Sequence, residues 1–251
     1  MAFPEPTRDL FSKQSAEYAK YRPRYPKALF EFLASLTPEH HRAWDCATGN
    51  GQAAVDLAEY FDEVIATDSS EAQIRNAVSH PKVRYSVSAA EKTSIETKSV
   101  DLVTVAQAAH WFHHDLFNAE AKRVLKPGGV VALWCYGHNR KVEPVLEAVY
   151  KKYADLVNPY WASEIHYIWE EYKTIPFPFE EIKAPSMTME TDWNLEVFKG
   201  YLWSWSATQK YVKEKGENPL GLLEQELQSA WGPPESLHRM IWNIYFRVGR
   251  G

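Results

Sequence analysis

The sequence has little cysteine and no long uninterrupted run of apolar residues. Two of its 251 residues are cysteine, Cys46 and Cys135, and both lie in apolar, strand-like stretches. This placement favours buried thiols over a disulfide framework. No run reaches the length of a membrane-spanning helix, and no early apolar stretch is typical of a signal peptide. The sequence therefore predicts a cytoplasmic protein that has no membrane partner.

A surplus of positive charge is also missing. The chain has 28 Lys and Arg residues against 33 Asp and Glu residues, a formal net charge of −5, whereas nonspecific nucleic-acid binders are usually basic. A small-molecule ligand is therefore favoured over DNA or RNA. Aromatic residues are plentiful, with ten Trp and fourteen Tyr. They would suit a cavity wall, a thick core or an interface between copies, so the sequence predicts no oligomeric state.

Strand-like and helix-like segments alternate between residues 41 and 136. Each strand-like segment is short and apolar, and a segment with helical periodicity separates it from the next; the five predicted strands are 42–46, 64–68, 83–87, 102–106 and 130–135. This alternation predicts an α/β protein with a doubly wound parallel sheet and right-handed crossovers. Ser69 or Ser70, with Gln73 at capping-box spacing, is expected to begin the helix after the second strand.

Beyond residue 136 the alternation stops. The later patterns predict a helix near 141–156, a strand at 182–191, helices at 194–206 and 218–230, and a last strand at 242–248. The chain length suits one large domain. We predict three parts of that domain: an N-terminal helical cover over 1–40, a ligand-binding core over 41–136, and a lid insertion with closing strands over 137–251.

The first predicted strand leads into a turn with two glycines, D-C-A-T-G-N-G-Q, at residues 45–52. Gly49 and Gly51 let the backbone approach a ligand closely, because glycine has no side chain. Sheets of this type bind ligands at the carboxyl ends of their strands. Asp45 ends the first strand and Asp68 the second, where a carboxylate accepts hydrogen bonds from ribose hydroxyls. The pattern therefore predicts a ligand that contains a ribose.

Asp45 discriminates between the candidate ligands of this turn. The spacing Gly49-x-Gly51-x-x-Ala54 fits an NAD-dependent oxidoreductase, but a carboxylate beside the turn would repel a pyrophosphate. S-adenosylmethionine instead carries an ammonium and a sulfonium, which an acid favours directly or through water. A purely structural role, in which Asp45 only caps the turn, is the alternative.

Three stretches resemble motifs of the class I S-adenosylmethionine-dependent methyltransferases. D-C-A-T-G-N-G-Q is similar to their D-x-G-x-G-x-G, A-T-D-S-S to their second motif, and L-K-P-G-G to the turn before their fifth strand. The match spans about residues 40–136. It departs at Ala47, where the family usually has glycine, and alanine is tolerated there if the backbone φ is not positive.

A closer resemblance covers nearly the whole chain. The N-terminal F-x-x-x-x-x-x-Y-x-x-x-R-P-x-Y-P at 11–26 is similar to the start of the trans-aconitate methyltransferase-like branch, and so are A-H-W-F, P-Y-W, W-S-A and the terminal W-N-I-Y-F-R-V-G-R. The resemblance implies a Rossmann-like, seven-stranded methyltransferase sheet with an N-terminal helical cover and a helical insertion after the fifth strand. It also implies S-adenosylmethionine as cofactor and S-adenosylhomocysteine as product.

The resemblance further implies which residues bind the cofactor along the ligand edge of the sheet. From the methionine end to the adenine and the end of the fourth strand, these are Asp45, Ala47, Gly49, Gly51, Asp68, Ser69, Ala90, Glu91 and Gln107. Tyr18 and Arg22 lie one helical turn apart on the cover. Arg22 would clamp the methionine carboxylate or an acidic substrate, since guanidinium pairs with carboxylate through two hydrogen bonds. The alternative for Arg22 is an ordinary surface charge.

His110 and Trp111 follow the fourth predicted strand at the ligand edge. His110 would accept a proton or orient an acceptor oxygen, unless it is a buried histidine bonded to backbone, and Trp111 would form a pocket wall. Trp161 and Trp205 would line the acceptor or form the core of the lid. His110 and His113 form an H-x-x-H pair, but no acid or cysteine completes it at a recognised spacing, so no metal is predicted.

The sequence therefore predicts an enzyme that transfers a methyl group from S-adenosylmethionine to a small molecule, with Arg22 and His110 as candidate catalytic residues. A carboxylate acceptor, of the trans-aconitate type, is already ionised and needs no base. Lys20, Arg22 and Arg24 concentrate positive charge where such an anion would dock. An apolar hydroxyl or amine acceptor would instead need His110 as base. An NAD-dependent oxidoreductase and a noncatalytic binding module are the two rival predictions.

Overall fold

The structure, a computed structural model, describes residues 21–251, with the backbone alone for residues 138–141. Tyr18 and Lys20 lie outside the described residues, as does the first half of the predicted N-terminal cover. The described part begins with an extended segment that leads into helix α1 (Lys27–Ser35). Pro26 precedes the first turn of this helix, and its buried face consists of Leu29, Phe30, Leu33 and Ala34.

The next elements alternate between strand and helix. They are β1 (Arg42–Cys46), α2 (Gln52–Leu57), β2 (Glu63–Asp68), α3 (Glu71–Arg75), β3 (Val83–Val87), β4 (Val100–Ala106), a 3₁₀ turn (Ala109–Trp111), α4 (His114–Val124) and β5 (Leu125–Lys141). Ser70 caps α3, because its hydroxyl accepts a hydrogen bond from the Gln73 backbone N–H. The predicted capping pair is therefore confirmed at Ser70.

The strands form one sheet in the order β3-β2-β1-β4-β5 and then β8 (His238–Arg250). The first five strands are parallel, and β8 pairs antiparallel with β5. The order reverses between β1 and β4, so the carboxyl ends of these two strands border the crevice in which doubly wound sheets bind ligands. The predicted α/β class and parallel sheet are confirmed.

The C-terminal half adds helices at two places. After β5 come α5 (Pro144–Val157), 3₁₀ turns at Asn158–Tyr160 and Ser163–Ile165, α6 (His166–Trp169), β6 (Glu180–Glu181) and β7 (Met187–Trp193); then come α7 (Leu195–Trp203), α8 (Ser206–Lys215), α9 (Pro219–Leu222) and α10 (Glu224–Trp231). The cover thus follows both β5 and β7, where the sequence predicted helices near 141–156, 194–206 and 218–230.

Within residues 21–251, the sheet has eight strand segments in seven positions. Both β6 and β7 pair antiparallel with β8, Glu180 opposite Arg250 and Met187 opposite Ile244. The two segments therefore lie one after the other along the same edge of β8. This interrupted strand accounts for the difference from the seven strands that the sequence predicted.

Two apolar cores lie on opposite faces of the sheet. Successive residues of β5 alternate between them: Val130, Ala132 and Trp134 join one core, and Val131 and Leu133 join the other, as the two-residue period of a strand requires. Helices α1 and α2 pack on the first face and α4 on the second. Within the described residues, no helix combines the length and apolar composition that crossing a bilayer requires.

Candidate active site

The turn after β1 has a left-handed backbone at three positions. Gly49 has φ +59°, Gly51 φ +90° and Ala47 φ +54°. A Cβ added at Gly49 would meet nothing within 4 Å, whereas one added at Gly51 would overlap the Tyr85 hydroxyl. Gly49 therefore borders open space at the sheet edge, and Gly51 is packed against a side chain. Both positions favour glycine because φ is positive. At Gly51 a side chain would also overlap Tyr85, whereas at Gly49 the space in front of the backbone is open.

Ala47 corrects one expectation from the sequence. Alanine was expected to be tolerated if its φ were not positive, but its φ is +54°. Because the Cβ of an L-residue is crowded in this region, Ala47 has a strained conformation where glycine would have none.

Two carboxylates stabilise this turn by accepting hydrogen bonds from its residues. Asp45 is fully buried at the end of β1; its Oδ2 accepts a hydrogen bond from the Thr48 hydroxyl at 2.5 Å, and its Oδ1 accepts one from the Thr104 hydroxyl at 2.8 Å. Asp68, at the end of β2, accepts hydrogen bonds from the backbone N–H groups of Gly49 at 2.9 Å and Ser70 at 2.8 Å. Asp68 thereby joins the glycine turn to the start of α3.

Burial raises the pKa of both carboxyl groups. The pKa of Asp45 is raised to about 6, although its bonds to Thr48 and Thr104 act in the opposite direction. The pKa of Asp68 is also raised by burial, partly offset by the two backbone N–H groups. A raised pKa means that the surroundings disfavour the negative charge. A cationic ligand at this edge would restore the ionised form of both groups.

The loop after β3 lies on the other side of this edge. Ala90 is buried in the core on the α4 face, and the Glu91 carboxylate accepts a hydrogen bond from the His113 backbone N–H at 3.0 Å. Ser69 is exposed between Asp68 and the capping Ser70. The structure therefore brings Asp68 into direct contact with the turn. It places Glu91 at the entrance to α4.

Gln107 has a structural role that the sequence did not predict. Its φ is +58°, and its side-chain amide pairs with the backbone of Tyr136: Nε2 donates to the carbonyl oxygen at 2.7 Å, and Oε1 accepts from the N–H at 2.9 Å. The amide thus continues the hydrogen-bond ladder between β4 and β5 by one rung. Both functional atoms of Gln107 are occupied by this pairing.

A cavity opens beside Gln107, between the sheet edge and the cover; we call it the aromatic cavity. Its lining consists of Arg22, Gln107, His110, Trp111, Tyr136, Gly137, Trp161, Ile165, Ile168, Tyr201, Trp205 and Ser206. The indole rings of Trp161 and Trp205 are 5.6 Å apart. Five predicted site residues besides Gln107 therefore meet here, from segments far apart in the chain. None of the described lining residues is Asp or Glu.

Arg22 spans the aromatic cavity from one wall to the other. Its guanidinium donates to the Tyr136 hydroxyl and to the Ser204 carbonyl oxygen, both at 3.4 Å, and lies 5.3 Å from the centre of the Tyr201 ring. These hydrogen bonds are long, and their acceptors are neutral. Guanidinium forms stronger hydrogen bonds with charged acceptors, such as carboxylate, than with neutral ones.

His110 is buried at the base of the same cavity, with 4% of its surface exposed. Its Nδ1 lies 2.9 Å from the Tyr172 hydroxyl, and its ring is 4.6 Å from that of Trp111. Burial, with a smaller contribution from His114, lowers the pKa of His110 to about 3. The imidazole is therefore neutral near pH 7, and its low proton affinity makes it a weak general base.

Three site residues, Tyr136, Tyr172 and Tyr201, were not predicted from the sequence. Tyr136 directly follows the fifth predicted strand, so its position at the ligand edge could have been inferred. Tyr172 and Tyr201 lie in the cover, where no local pattern indicates which aromatic side chain turns inward. Within the described residues, no group of three or more His, Cys, Asp or Glu side chains could hold a metal ion.

The comparisons with known proteins agree with this arrangement. Residues 44–133 match the family model of the methyltransferase domain. A protein of Dictyostelium discoideum named as a methyltransferase is 35% identical over 246 residues, which are 95% of this chain and 93% of that protein. This chain belongs to the class I S-adenosylmethionine-dependent methyltransferases. Its membership gives no support to the predicted NAD-dependent alternative.

Solved structures agree with this assignment to the methyltransferases. A structure from Anaeromyxobacter dehalogenans, described as a type II methyltransferase, is 43% identical, has a TM-score of 0.85, and matches 92% of this chain and 98% of that one. The YcgJ protein of Bacillus subtilis, 16% identical over 90% of this methyltransferase and 98% of its own chain, has a TM-score of 0.50 and shares the fold. None of these names identifies an acceptor, so the trans-aconitate branch stays a prediction.

The turn of this methyltransferase fits a cofactor of the S-adenosylmethionine type. Open space lies in front of Gly49. The buried Asp45 carboxyl below the turn favours a positive charge, and each oxygen of Asp68 has one described hydrogen bond and room for another. A yeast relative, 30% identical over 56% of this chain and 52% of its own length, is named for dependence on S-adenosylmethionine.

Proposed function

We propose that this methyltransferase esterifies a small carboxylic acid. The observation that carries the proposal is the composition of the aromatic cavity, which contains the guanidinium of Arg22 and no described Asp or Glu. A cation in a largely apolar enclosure attracts an anion, because low local polarity strengthens their interaction. Guanidinium matches carboxylate in shape and hydrogen-bonding pattern.

The cofactor is proposed to lie along the turn after β1, with its methionine end above Asp45, Gly49 and Gly51 and its ribose at Asp68. Ser69, Ala90 and Glu91 would border the adenine. When bound, S-adenosylmethionine supplies a methyl group on a sulfonium, and transfer of that methyl to a carboxylate oxygen leaves a neutral thioether. The residues of this chain would then contribute proximity and alignment, which account for much of the rate in such a reaction.

Arg22 would hold one end of the acceptor, and the aromatic walls would exclude water from it. A carboxylate is ionised at neutral pH and needs no proton removed, which agrees with the low pKa of His110. Trp111, Trp161 and Trp205 would contact the apolar part of the acceptor. Tyr18 remains a predicted cofactor contact on the segment before Arg22.

A base-assisted O- or N-methylation of an apolar molecule is the second candidate. The three tryptophans favour it, since they offer apolar surface for an aromatic or aliphatic acceptor. This reaction needs a group that removes a proton from the acceptor, and His110 is the imidazole in the described lining. Its pKa of about 3 makes it poorly suited to that task at neutral pH.

A panel of paired acceptors tests the proposal. Purified protein and S-adenosylmethionine are incubated with small mono-, di- and tricarboxylic acids, with the matching amides, and with phenols and amines of similar size. Formation of S-adenosylhomocysteine is measured for each. We expect turnover with one or more acids and none with their amides. Turnover confined to phenols or amines would replace the esterification proposal with the base-assisted one.

A further inference from the structure

Tyr172 lies in the cover, 62 residues from His110 in the chain, and has an unusual backbone. Glu171 and Tyr172 are both left-handed, with φ of +59° and +61°, although glycine is the residue that favours this region. The Tyr172 side chain is fully buried. A bulky residue persists in such a conformation only where its surroundings impose it.

The surroundings of Tyr172 do impose it. Its N–H donates to the Tyr167 carbonyl oxygen at 2.8 Å. The Arg247 guanidinium on β8 donates to three carbonyl oxygens of the same turn, those of Tyr172, Lys173 and Ile175, at 3.1, 3.0 and 3.1 Å. This clamp fastens the turn to the sheet. The Tyr172 hydroxyl therefore has a defined position, 2.9 Å from His110 Nδ1.

The direction of this hydrogen bond follows from counting donors and acceptors. Within the described residues, His110 Nδ1 is the only hydrogen-bond acceptor in reach of the Tyr172 hydroxyl. The backbone N–H groups of His110 and Ala109 act on the hydroxyl oxygen and lower its pKa, although burial raises that pKa by more. If Nδ1 carried the proton, the buried O–H would lose its acceptor, which disfavours that tautomer by roughly tenfold or more.

The proton of the neutral imidazole is then on Nε2. Among the described residues, Nε2 has no hydrogen-bond partner. It is also absent from the fully buried polar atoms without a partner, so Nε2 is partly exposed. His110 lines the aromatic cavity. The remaining exposure of the ring therefore includes an N–H donor that is open to the cavity in which the acceptor is proposed to bind.

We propose that Tyr172 is a positioning residue that holds His110 as the Nε2–H tautomer, so that His110 donates a hydrogen bond to the acceptor instead of removing a proton from it. The identity of the acceptor as a carboxylate rests on the proposed function. The tautomer itself does not, because the Tyr172–His110 contact forms without any ligand. In the proposed complex, Arg22 and His110 would each donate to the acceptor carboxylate.

The first experiment measures the tautomer in the absence of acceptor. Protein labelled with ¹⁵N in its histidine rings is studied by long-range proton–nitrogen correlation, in which protonated and unprotonated ring nitrogens give widely separated signals. The His110→Gln variant assigns the His110 signals by their loss. We expect a single neutral Nε2–H form at pH 7. An Nδ1–H form, a charged ring or a mixture of tautomers would overturn the proposal.

Tyr172→Phe then tests whether Tyr172 causes this state. Its matched control is Tyr153→Phe, which removes another buried hydroxyl of the cover, one that bonds Thr208 at 2.6 Å. We expect Tyr172→Phe to convert His110 into a mixture of tautomers and Tyr153→Phe to leave its signals unchanged. His110 signals that stay as in the wild type after Tyr172→Phe would show that the hydroxyl does not set the tautomer.

The kinetics of His110 variants distinguish a hydrogen-bond donor role of His110 from a purely structural one. This comparison does not require that the Tyr172→Phe variant folds. Glutamine can place an amide N–H near the position of Nε2, whereas asparagine reaches only to that of Nδ1. With an acceptor found by the panel, we expect His110→Gln to retain at least tenfold more kcat/KM than His110→Asn, with the same Kd for S-adenosylhomocysteine. Equal losses in the two variants would contradict the donor role.

The two proposals can fail separately. If no carboxylic acid is an acceptor but His110 is the Nε2–H form and Tyr172→Phe changes it, the esterification proposal fails and the tautomer assignment stands. If acids are methylated but the labelled ring shows the other tautomer, the reverse holds. Tyr172→Phe should also lower kcat/KM on the order of tenfold, because one oriented hydrogen bond is lost.

Discussion

The cofactor turn and the aromatic cavity lie at the same edge of the sheet, but they draw on very different lengths of chain. The turn, its two carboxylates and the cap of α3 all belong to residues 45–73, and direct hydrogen bonds join Gly49, Asp68 and Ser70. The cavity combines Arg22, the loop after β4 and the cover as far as Ser206. A local motif builds one side, whereas packing of distant segments builds the other.

The two sides also differ in charge. The cofactor turn has two acids whose pKa values are raised by burial, and the aromatic cavity has an arginine and a histidine whose pKa is lowered. A cationic cofactor suits the first side, and an anionic acceptor suits the second. From this difference we propose that each side is matched to a partner of opposite charge, and the following predictions test that match.

The largest effect is expected from Arg22→Gln. Loss of the guanidinium removes a charged hydrogen-bond donor from the aromatic cavity, so kcat/KM for a carboxylate acceptor should fall on the order of 100-fold. The Kd for S-adenosylhomocysteine should change little if Arg22 binds the acceptor, as we propose, rather than the methionine carboxylate. Steady-state kinetics and calorimetry measure the two quantities.

Arg24→Gln is the matched control for Arg22→Gln, since Arg24 is an exposed arginine two residues away. We expect its kinetics to stay within about twofold of the wild type, because an exposed charge contributes little. If Arg22→Gln weakened cofactor binding and left the acceptor KM unchanged, Arg22 would belong to the cofactor side instead. The proposed division of charge between the two sides would then be wrong.

Asp68→Ala should affect the cofactor turn and not the aromatic cavity. Loss of a charged acceptor for ribose hydroxyls should cost on the order of 1.5–3 kcal/mol of S-adenosylhomocysteine binding. Because Asp68 also accepts hydrogen bonds from Gly49 and Ser70, we expect a loss of stability of about 1–2 kcal/mol. Asp62→Ala, at an exposed carboxylate, is the control. An unchanged Kd in calorimetry would remove Asp68 from the cofactor site.

The two sides should also respond to pH in opposite directions. The folded His110 pKa of about 3 is below the ordinary value, so its contribution to stability is present above about pH 6.5 and lost as pH falls toward 3. The folded Asp45 pKa of about 6 is above the ordinary value, so its contribution is present below about pH 4 and lost as pH rises through 6.

Variants isolate these two contributions to the free energy of unfolding. Between pH 7 and pH 4.5, the stability of wild type relative to His110→Gln should fall by on the order of 2 kcal/mol. Over the same interval, the stability of wild type relative to Asp45→Asn should rise by a similar amount, on the order of 2 kcal/mol. Urea denaturation at several pH values gives both differences. Parallel trends in the two variants would contradict the opposed assignment.

The smallest effect is expected at Ala47. Glycine relieves the strain of the positive φ at Ala47 but adds flexibility to the unfolded chain, so Ala47→Gly should stabilise by only about 0.5 kcal/mol. Ala72→Gly, within α3, should instead destabilise by about 0.5–1 kcal/mol. A loss of stability at Ala47 equal to that at Ala72 would show that the left-handed turn is not strained.

The difference between the two sides explains how much of the site could be predicted. Asp45, Gly49, Gly51 and Asp68 were identified as one cluster, because their spacing and the strand ends around them are local features of the sequence. The same reasoning left the φ of Ala47 open, because the residue type alone does not decide between an ordinary and a left-handed backbone. The backbone pairing of Gln107 with Tyr136 was also missed, because it depends on how β4 and β5 align.

The sequence by itself determined the alternating strands, the parallel α/β sheet, the cap at Ser70 and the glycine turn with its acids. These features follow from periodicity and residue type over short distances, where few competing conformations exist. Only the tertiary structure decided which aromatic side chains turn inward, that Arg22 spans the cavity they form, and that the hydroxyl of Tyr172 meets His110. These contacts join residues separated by as many as 182 positions, and packing of the whole chain, rather than any local pattern, selects them.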